Sequence, residues 1–294
     1  MKKILVAGST GYLGSHIVKE LLHRGMSFKA IARNSVKLEA LGCTPRQIIH
    51  TQVTDRNALE GCCKNIDVVI SSLGITRQKD GLTYMQVDYQ ANKNLLDEAI
   101  KSGVKKFIYV SVLRGESLRH LKICEAKERF VEALKNSGLD YTIIRPSGFF
   151  SDMSEFHQMA KNGRIYLLGD GNISVNPIHG ADLAKVCIDS IFVSKKEIPV
   201  GGPEILSHRQ IAEAAFNALN HPIKITFIPD WIRRAILRIG PLFMDQKKFG
   251  PIEFFLNVMA MDMATDIYGV HTLSDYFKEL NTSAKLSSHE PTKA

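Results

Sequence analysis

Gly8-Ser9-Thr10-Gly11-Tyr12-Leu13-Gly14 follows the apolar run Ile4-Leu5-Val6-Ala7 and opens a stretch of helical periodicity over residues 12–24. A glycine-rich turn between strand and helix lets backbone N–H groups close on an anion. Gly8 would supply the tight turn, Gly11 an approach free of side chain, and Gly14 the close contact of helix with sheet. The helix start adds unpaired N–H groups and about half a positive charge. Residues 8–14 therefore read as a cradle for a diphosphate.

Outward from this loop, short apolar runs alternate with helical patterns. Strands are expected at 3–7, 28–32, 48–52, 68–72, 106–112 and 140–145, and helices at 12–24, 86–102 and 126–137. Continuous Val, Ile and Leu without alternation marks strands buried on both faces, as in a parallel sheet covered by helices. Right-handed crossovers then give an α/β doubly wound sheet of Rossmann type. Gly25 after His23-Arg24 and Gly103 after Lys101-Ser102 read as helix stops, and Asp55 as an N-cap. The expected division is a dinucleotide-binding domain over 1–150, completed by about 173–203. A smaller, mainly helical cap covers 151–172 and 204–281, and a flexible tail covers 282–294.

Further motifs narrow the class. They are Val87-Asp88-Tyr89-Gln90-Ala91-Asn92-Lys93-Asn94-Leu95-Leu96, Lys105-Lys106-Phe107-Ile108-Tyr109-Val110-Ser111, Ser137-Gly138-Leu139-Asp140-Tyr141-Thr142-Ile143-Ile144-Arg145-Pro146 and Asn176-Pro177-Ile178-His179-Gly180-Ala181-Asp182-Leu183-Ala184. With the glycine spacing, the chain resembles the extended and atypical short-chain dehydrogenases/reductases with an NmrA-like NAD(P)-binding domain. The resemblance covers nearly its whole length.

After the second strand an NAD enzyme places a carboxylate against the ribose 2′-hydroxyl, which would repel a 2′-phosphate. This chain has Arg33-Asn34-Ser35, with Lys37 beyond. NADP(H) is expected, with Arg33 as lead contact through its planar fork and Ser35 beside it. The resemblance further implies Gln52 and Val53 near the adenine, where relatives commonly carry an aspartate. Ser71, Leu73 and Gly74 would line the sugars, and Pro146 and Phe149 the nicotinamide.

Active members of the superfamily pair a tyrosine with a lysine four residues on: the phenol donates a proton, and the ammonium lowers its pKa and holds the ribose. Here Lys127 takes the lysine place, but Ile123 takes the tyrosine place. An isoleucine transfers no proton. Lys127 and Ser111, at a strand end, are the expected catalytic residues, although a hydroxyl is a poor donor without a base. Tyr84, in the loop 79–84, is a candidate to swing over the site. His179 has a suitable intrinsic pKa, but its setting reads as core packing. Phe149 and Phe150, continued by Met153, Phe156 and Met159, read as an apolar wall or as core.

The expected activity is NADPH-dependent reduction of a small or medium apolar substrate, a carbonyl or a conjugated double bond. The alternative is a non-catalytic NADP(H)-binding redox sensor or assembly factor.

In the carboxy-terminal third, Ile232, Ala235, Ile236 and Ile239 fall on one face of a helix, with Arg234 and Arg238 on another. Because a cap helix must bury one face, this segment reads as cap; a competing reading lays residues 231–243 on an anionic membrane. The 294 residues, 45% apolar and 23% charged, suit an ordinary globular protein. Five cysteines fit no zinc or disulfide spacing, so no metal is expected. A net charge of +8 favours anionic ligands, but no nucleic-acid module accompanies it. A cytoplasmic monomer or homodimer acting on a small molecule is expected, since no apolar run suits a signal peptide or a membrane span.

Overall fold

In the computed structural model, which describes residues 2–76 and 81–287, the apolar runs form strands β1 (Ile4–Ala7), β2 (Phe28–Ala32), β3 (Ile48–His50), β4 (Val68–Ser71), β5 (Lys106–Val110), β6 (Asp140–Pro146), β7 (Ile165–Leu168), β8 (Ser174–Val175), β9 (Glu197–Val200), β10 (Leu206–Ser207) and β11 (Ile225–Ile228). Seven of them build one parallel sheet in the order β3-β2-β1-β4-β5-β6-β9. Every residue of β1, β4 and β5 is buried, as unbroken apolar runs require. The chain leaves β1 toward β2 on one side and later returns to β4 on the other. That reversal is where doubly wound sheets bind ligands, outside the carboxyl ends of the strands.

The helices are α1 (Tyr12–His23), α2 (Val36–Ala40), a π-helical turn Met85–Ala91 running into α3 (Asn92–Lys101), α4 (Lys122–Lys135), α5 (Phe150–Lys161), α6 (Gly180–Asp189), α7 (His208–Leu219), α8 (Asp230–Phe243), α9 (Gln246–Val258) and α10 (Leu273–Ser287). Helix α1 buries Leu13, Ile17, Val18 and Leu21, a stripe at helical spacing. It packs beside α6, where the Gly180 N–H donates to the Tyr12 hydroxyl at 3.0 Å. Leu95, Leu96, Phe107, Tyr109, Phe130 and Val131 belong to a core cluster that also takes in Leu5 and Ala7 of β1.

The chain forms two compact units. The first comprises Met1–Pro146, Gly180–Val200 and Met244–Phe254; the second comprises Ser147–His179, Gly201–Phe243 and Phe255–Ala294. The break falls after Pro146 rather than at 150, because residues 147–150 bond to 176–178. The Ser147 hydroxyl donates to the Asn176 carbonyl at 2.5 Å, and Phe150 N–H donates to the Ile178 carbonyl at 3.1 Å. Residues 173–179 therefore lie in the second unit, and 244–254 join the first. Helix α10 continues past residue 282, where the sequence reading begins the tail; residues 288–294 lie outside the described residues.

Within the second unit, Phe150, Met153 and Phe156 of α5 are core residues. Helix α8 departs from the expectation: it buries none of its residues. The apolar face is covered only in part: Ile232 and Ala235 are half-buried, while Ile236 and Ile239 are exposed. Among the described residues no helix is long and apolar enough to cross a membrane.

Candidate functional site

At the carboxyl end of β1, Gly8 turns at φ +79°, in the left-handed region that favours glycine. A β-carbon there would lie 2.8 Å from the Ser72 backbone, and one at Gly14 only 2.0 Å from the Gly8 carbonyl oxygen. Gly11 is exposed and caps α1 with no side-chain hydrogen bond, and the first turn carries no acid. The cradle is therefore backbone, open, and electropositive. Ser9 is buried, its hydroxyl donating to the Ile31 carbonyl at 2.6 Å, so its side chain ties the loop to β2. Leu13 points into the core, and the Tyr12 hydroxyl accepts from Gly180 N–H.

Beyond β2, an open depression of about 320 Å³ is lined by Thr10, Arg33, Asn34, Val36 and Lys37. Two cations and a threonine thus sit beside the glycine loop with no carboxylate in the lining, which suits a phosphate. Ser35 precedes α2, its carbonyl accepting from Leu38 N–H at 2.8 Å. After β3, the exposed Gln52 amide donates to Thr54 at 2.6 Å, and the Val53 carbonyl accepts from Asn94 at 3.4 Å. Asp55 accepts from Asn57 and Ala58 N–H, so it caps a short turn as expected.

At the end of β4, the buried Ser71 hydroxyl donates to Asn92 at 2.6 Å, and Leu73 N–H donates back to Ser71 at 3.3 Å. Gly74 packs so tightly that a β-carbon would meet Asp88 Oδ1 at 2.7 Å and Lys127 Nζ at 2.8 Å. Those two groups form an ion pair at 2.9 Å, with Asp88 wholly buried and the Lys127 side chain 13% exposed. The second carboxylate oxygen accepts from Ile75 N–H at 3.2 Å. Lys127 Nζ also lies 5.7 Å from the centre of the buried Tyr109 ring. Burial alone would push the lysine pKa down, but the Asp88 charge outweighs it and holds the ammonium above its ordinary range. Burial in turn pushes the Asp88 carboxyl up, against the pull of Lys127.

Asp88 was not singled out as a site residue by its sequence. A signal existed: Val87, Asp88, Ala91, Asn92 and Leu95 share one buried stripe, and a carboxylate on such a stripe requires a partner. It lies on a π-helical turn, a feature common at functional sites.

The other candidates for proton donor are engaged elsewhere. Ser111, 5% exposed, donates to Glu128 at 3.0 Å, and Glu128 is gripped by Arg145 through two bonds of 2.7 and 3.0 Å. The structure thus places Ser111 in a buried Arg145–Glu128 cluster while Lys127 faces Asp88. Tyr84 is buried, its hydroxyl donating to the Thr76 carbonyl at 2.9 Å, so it is a structural pin rather than a swinging acid; residues 79 and 80 of its loop lie outside the described residues. Ile123 is buried, and burial pushes the neighbouring Cys124 thiol up to about 12. Pro146 closes β6 in the first unit. Phe149 belongs to the second, at the start of α5, and His179 stacks on His271 there with ring centres 4.4 Å apart. Among the described residues no metal-holding cluster exists.

The glycine cradle, the reversal of strand order and the cation-lined depression define a dinucleotide-binding protein of the doubly wound class. A family model described as NAD(P)H-binding matches residues 8–194, more than half of the chain, and the protein belongs to that family. Divinyl chlorophyllide a 8-vinyl-reductase of Arabidopsis thaliana is 28% identical over 94% of this chain and 76% of its own length. Photosystem II assembly factor Ycf39 of Synechocystis is 26% identical over 77% of this chain and 71% of its own. Among solved structures, the NADPH-dependent quinone oxidoreductase QOR2 of Escherichia coli, complexed with NADPH, superposes with a TM-score of 0.76 at 17% identity, over 95% of this chain and 99% of that one.

Proposed function

We propose that this protein is an NADPH-dependent reductase of an apolar substrate bearing a conjugated double bond. The observation that carries the reading is the ammonium of Lys127, fixed at 2.9 Å by the buried Asp88, with Ile123 where a phenol would stand. The dinucleotide, when bound, supplies the hydride. The amides of Gly8 to Gly14 would hold its diphosphate, Arg33 and Lys37 its 2′-phosphate, and Lys127 its nicotinamide ribose. Asp88 keeps Lys127 charged at neutral pH. A fixed cation without a positioned acid suits a substrate whose developing negative charge spreads onto a conjugated carbonyl, because such a delocalised anion is stable enough to form before it is protonated. An isolated carbonyl yields a far more basic alkoxide, which needs a donor in place. The names of the vinyl-reductase and quinone oxidoreductase relatives accord with this substrate class.

A non-catalytic NADP(H) sensor or assembly factor is the second reading, favoured by the engagement of Ser111 with Glu128 and Tyr84 with Thr76 and by the likeness to an assembly factor. An NADPH-consumption screen over enones, quinones, aldehydes and imines separates the two. Consumption confined to conjugated substrates and abolished in Lys127→Ala supports the reductase. No consumption with any class, together with a protein partner retained only in one cofactor state, overturns it.

A further inference from the structure

Helix α8 carries an apolar face that the described residues cover only in part. Trp231, Ala235, Ile239 and Leu242 follow one helical row, and Ile232, Ile236 and Phe243 the adjoining one. Phe243 is 82% exposed, Leu242 78% and Trp231 66%, with Ile236 and Ile239 also exposed. Leaving so many large apolar groups together in water is unfavourable, and contiguous patches of this kind mark interaction surfaces. Arg234 and Arg238, four residues apart and exposed, border the row that begins with Trp231. The helix holds three arginines against one acid, Asp230, which pairs with Arg233 and Arg234.

We propose that α8 is a peripheral membrane anchor that lies in the plane of an anionic lipid surface. Its rings and aliphatic groups would enter the boundary between headgroups and acyl chains, with Arg234 and Arg238 against lipid phosphates. Charge complementarity to an anionic surface selects this occupant: an apolar arc edged by arginine, with an aromatic at each end, is the pattern of an interfacial helix. The helix has 14 residues, too short to span a bilayer but sufficient to lie on one. The chain's net charge of +8 adds long-range attraction to the same surface. None of this depends on the proposed reductase chemistry.

The protein contains a single tryptophan, so emission excited selectively from tryptophan reports on Trp231 alone. The full chain, without cofactor, is mixed with vesicles of phosphatidylcholine, or of phosphatidylcholine with about one third phosphatidylglycerol, and sedimented. The expected result is a blue shift and co-sedimentation with the anionic vesicles only, both reversed by salt. Leu242→Asp with Phe243→Asp, and separately Arg234→Glu with Arg238→Glu, should each lower the bound fraction at least about tenfold without moving the thermal midpoint, since all four side chains are exposed. Absence of binding to anionic vesicles overturns the proposal, as does binding undiminished in both variants. A blue shift that rises with protein concentration in lipid-free buffer assigns the face to a second copy and also overturns it.

Discussion

Two glycines separated by one turn fail for different reasons. A methyl group at residue 14 meets the Gly8 carbonyl oxygen at 2.0 Å, whereas at residue 11 the same oxygen stands 3.2 Å away. Gly14→Ala should therefore lose the cooperative thermal transition. Gly11→Ala should keep its fold while crowding the mouth of the cradle, weakening nicotinamide dinucleotide binding by at least about tenfold in calorimetric titration. Arg33→Glu should raise the Kd for NADPH by about tenfold or more and leave that for NADH nearly unchanged, which tests the assignment of the depression to a 2′-phosphate. Asp88→Leu removes the counter-charge of a largely buried ammonium and should cost about 3 kcal/mol in denaturant unfolding. Adding Lys127→Met to that variant should recover part of the loss, because no unpaired charge then remains.

At the scale of the element, α7 is the helix whose ends are written most plainly. Ser207 accepts from Gln210 N–H while Gln210 accepts from Ser207 N–H, a reciprocal cap at the residue before the helix. His208, in the first turn, is buried, and burial pushes its pKa down to about 4. Below its ordinary value the unfolded chain takes up a proton that the folded chain refuses. Stability is thus full at neutral pH and falls as pH drops from about 6.5 to about 4, by about 3 kcal/mol in all. His208→Phe should flatten that part of the profile, measured by denaturant unfolding at stepped pH. Other elements were less legible. Helix α4 starts at Lys122, ahead of the expected 126, because Leu121 offers no capping side chain to mark the start. The π-helical turn before α3 leaves no trace in a 3.6-residue pattern. Periodicity located the apolar face of α8 but could not reveal that the described residues leave most of it exposed. The glycine loop, by contrast, was readable because its spacing, the preceding strand and the following helix all demand one geometry. Lys127 was found by its place in a motif, while its partner Asp88 comes from a distant segment and is visible only after folding.

For the molecule as a whole, the first unit is not a continuous stretch of chain. Its sheet draws β1 to β6 from the first 146 residues and its final strand from residues 197–200. Strand β6 pairs with β9 through Ile143↔Glu197 to Pro146↔Val200, reinforced by Arg145 on Glu197 at 2.8 Å. During synthesis, then, β6 emerges well before its neighbour exists and offers a row of bare amides and carbonyls to whatever strand is nearby. A nascent chain stalled before residue 197 should stick to its own kind and engage holding chaperones. One allowed to extend past residue 200 can close that margin and leave the ribosome safely.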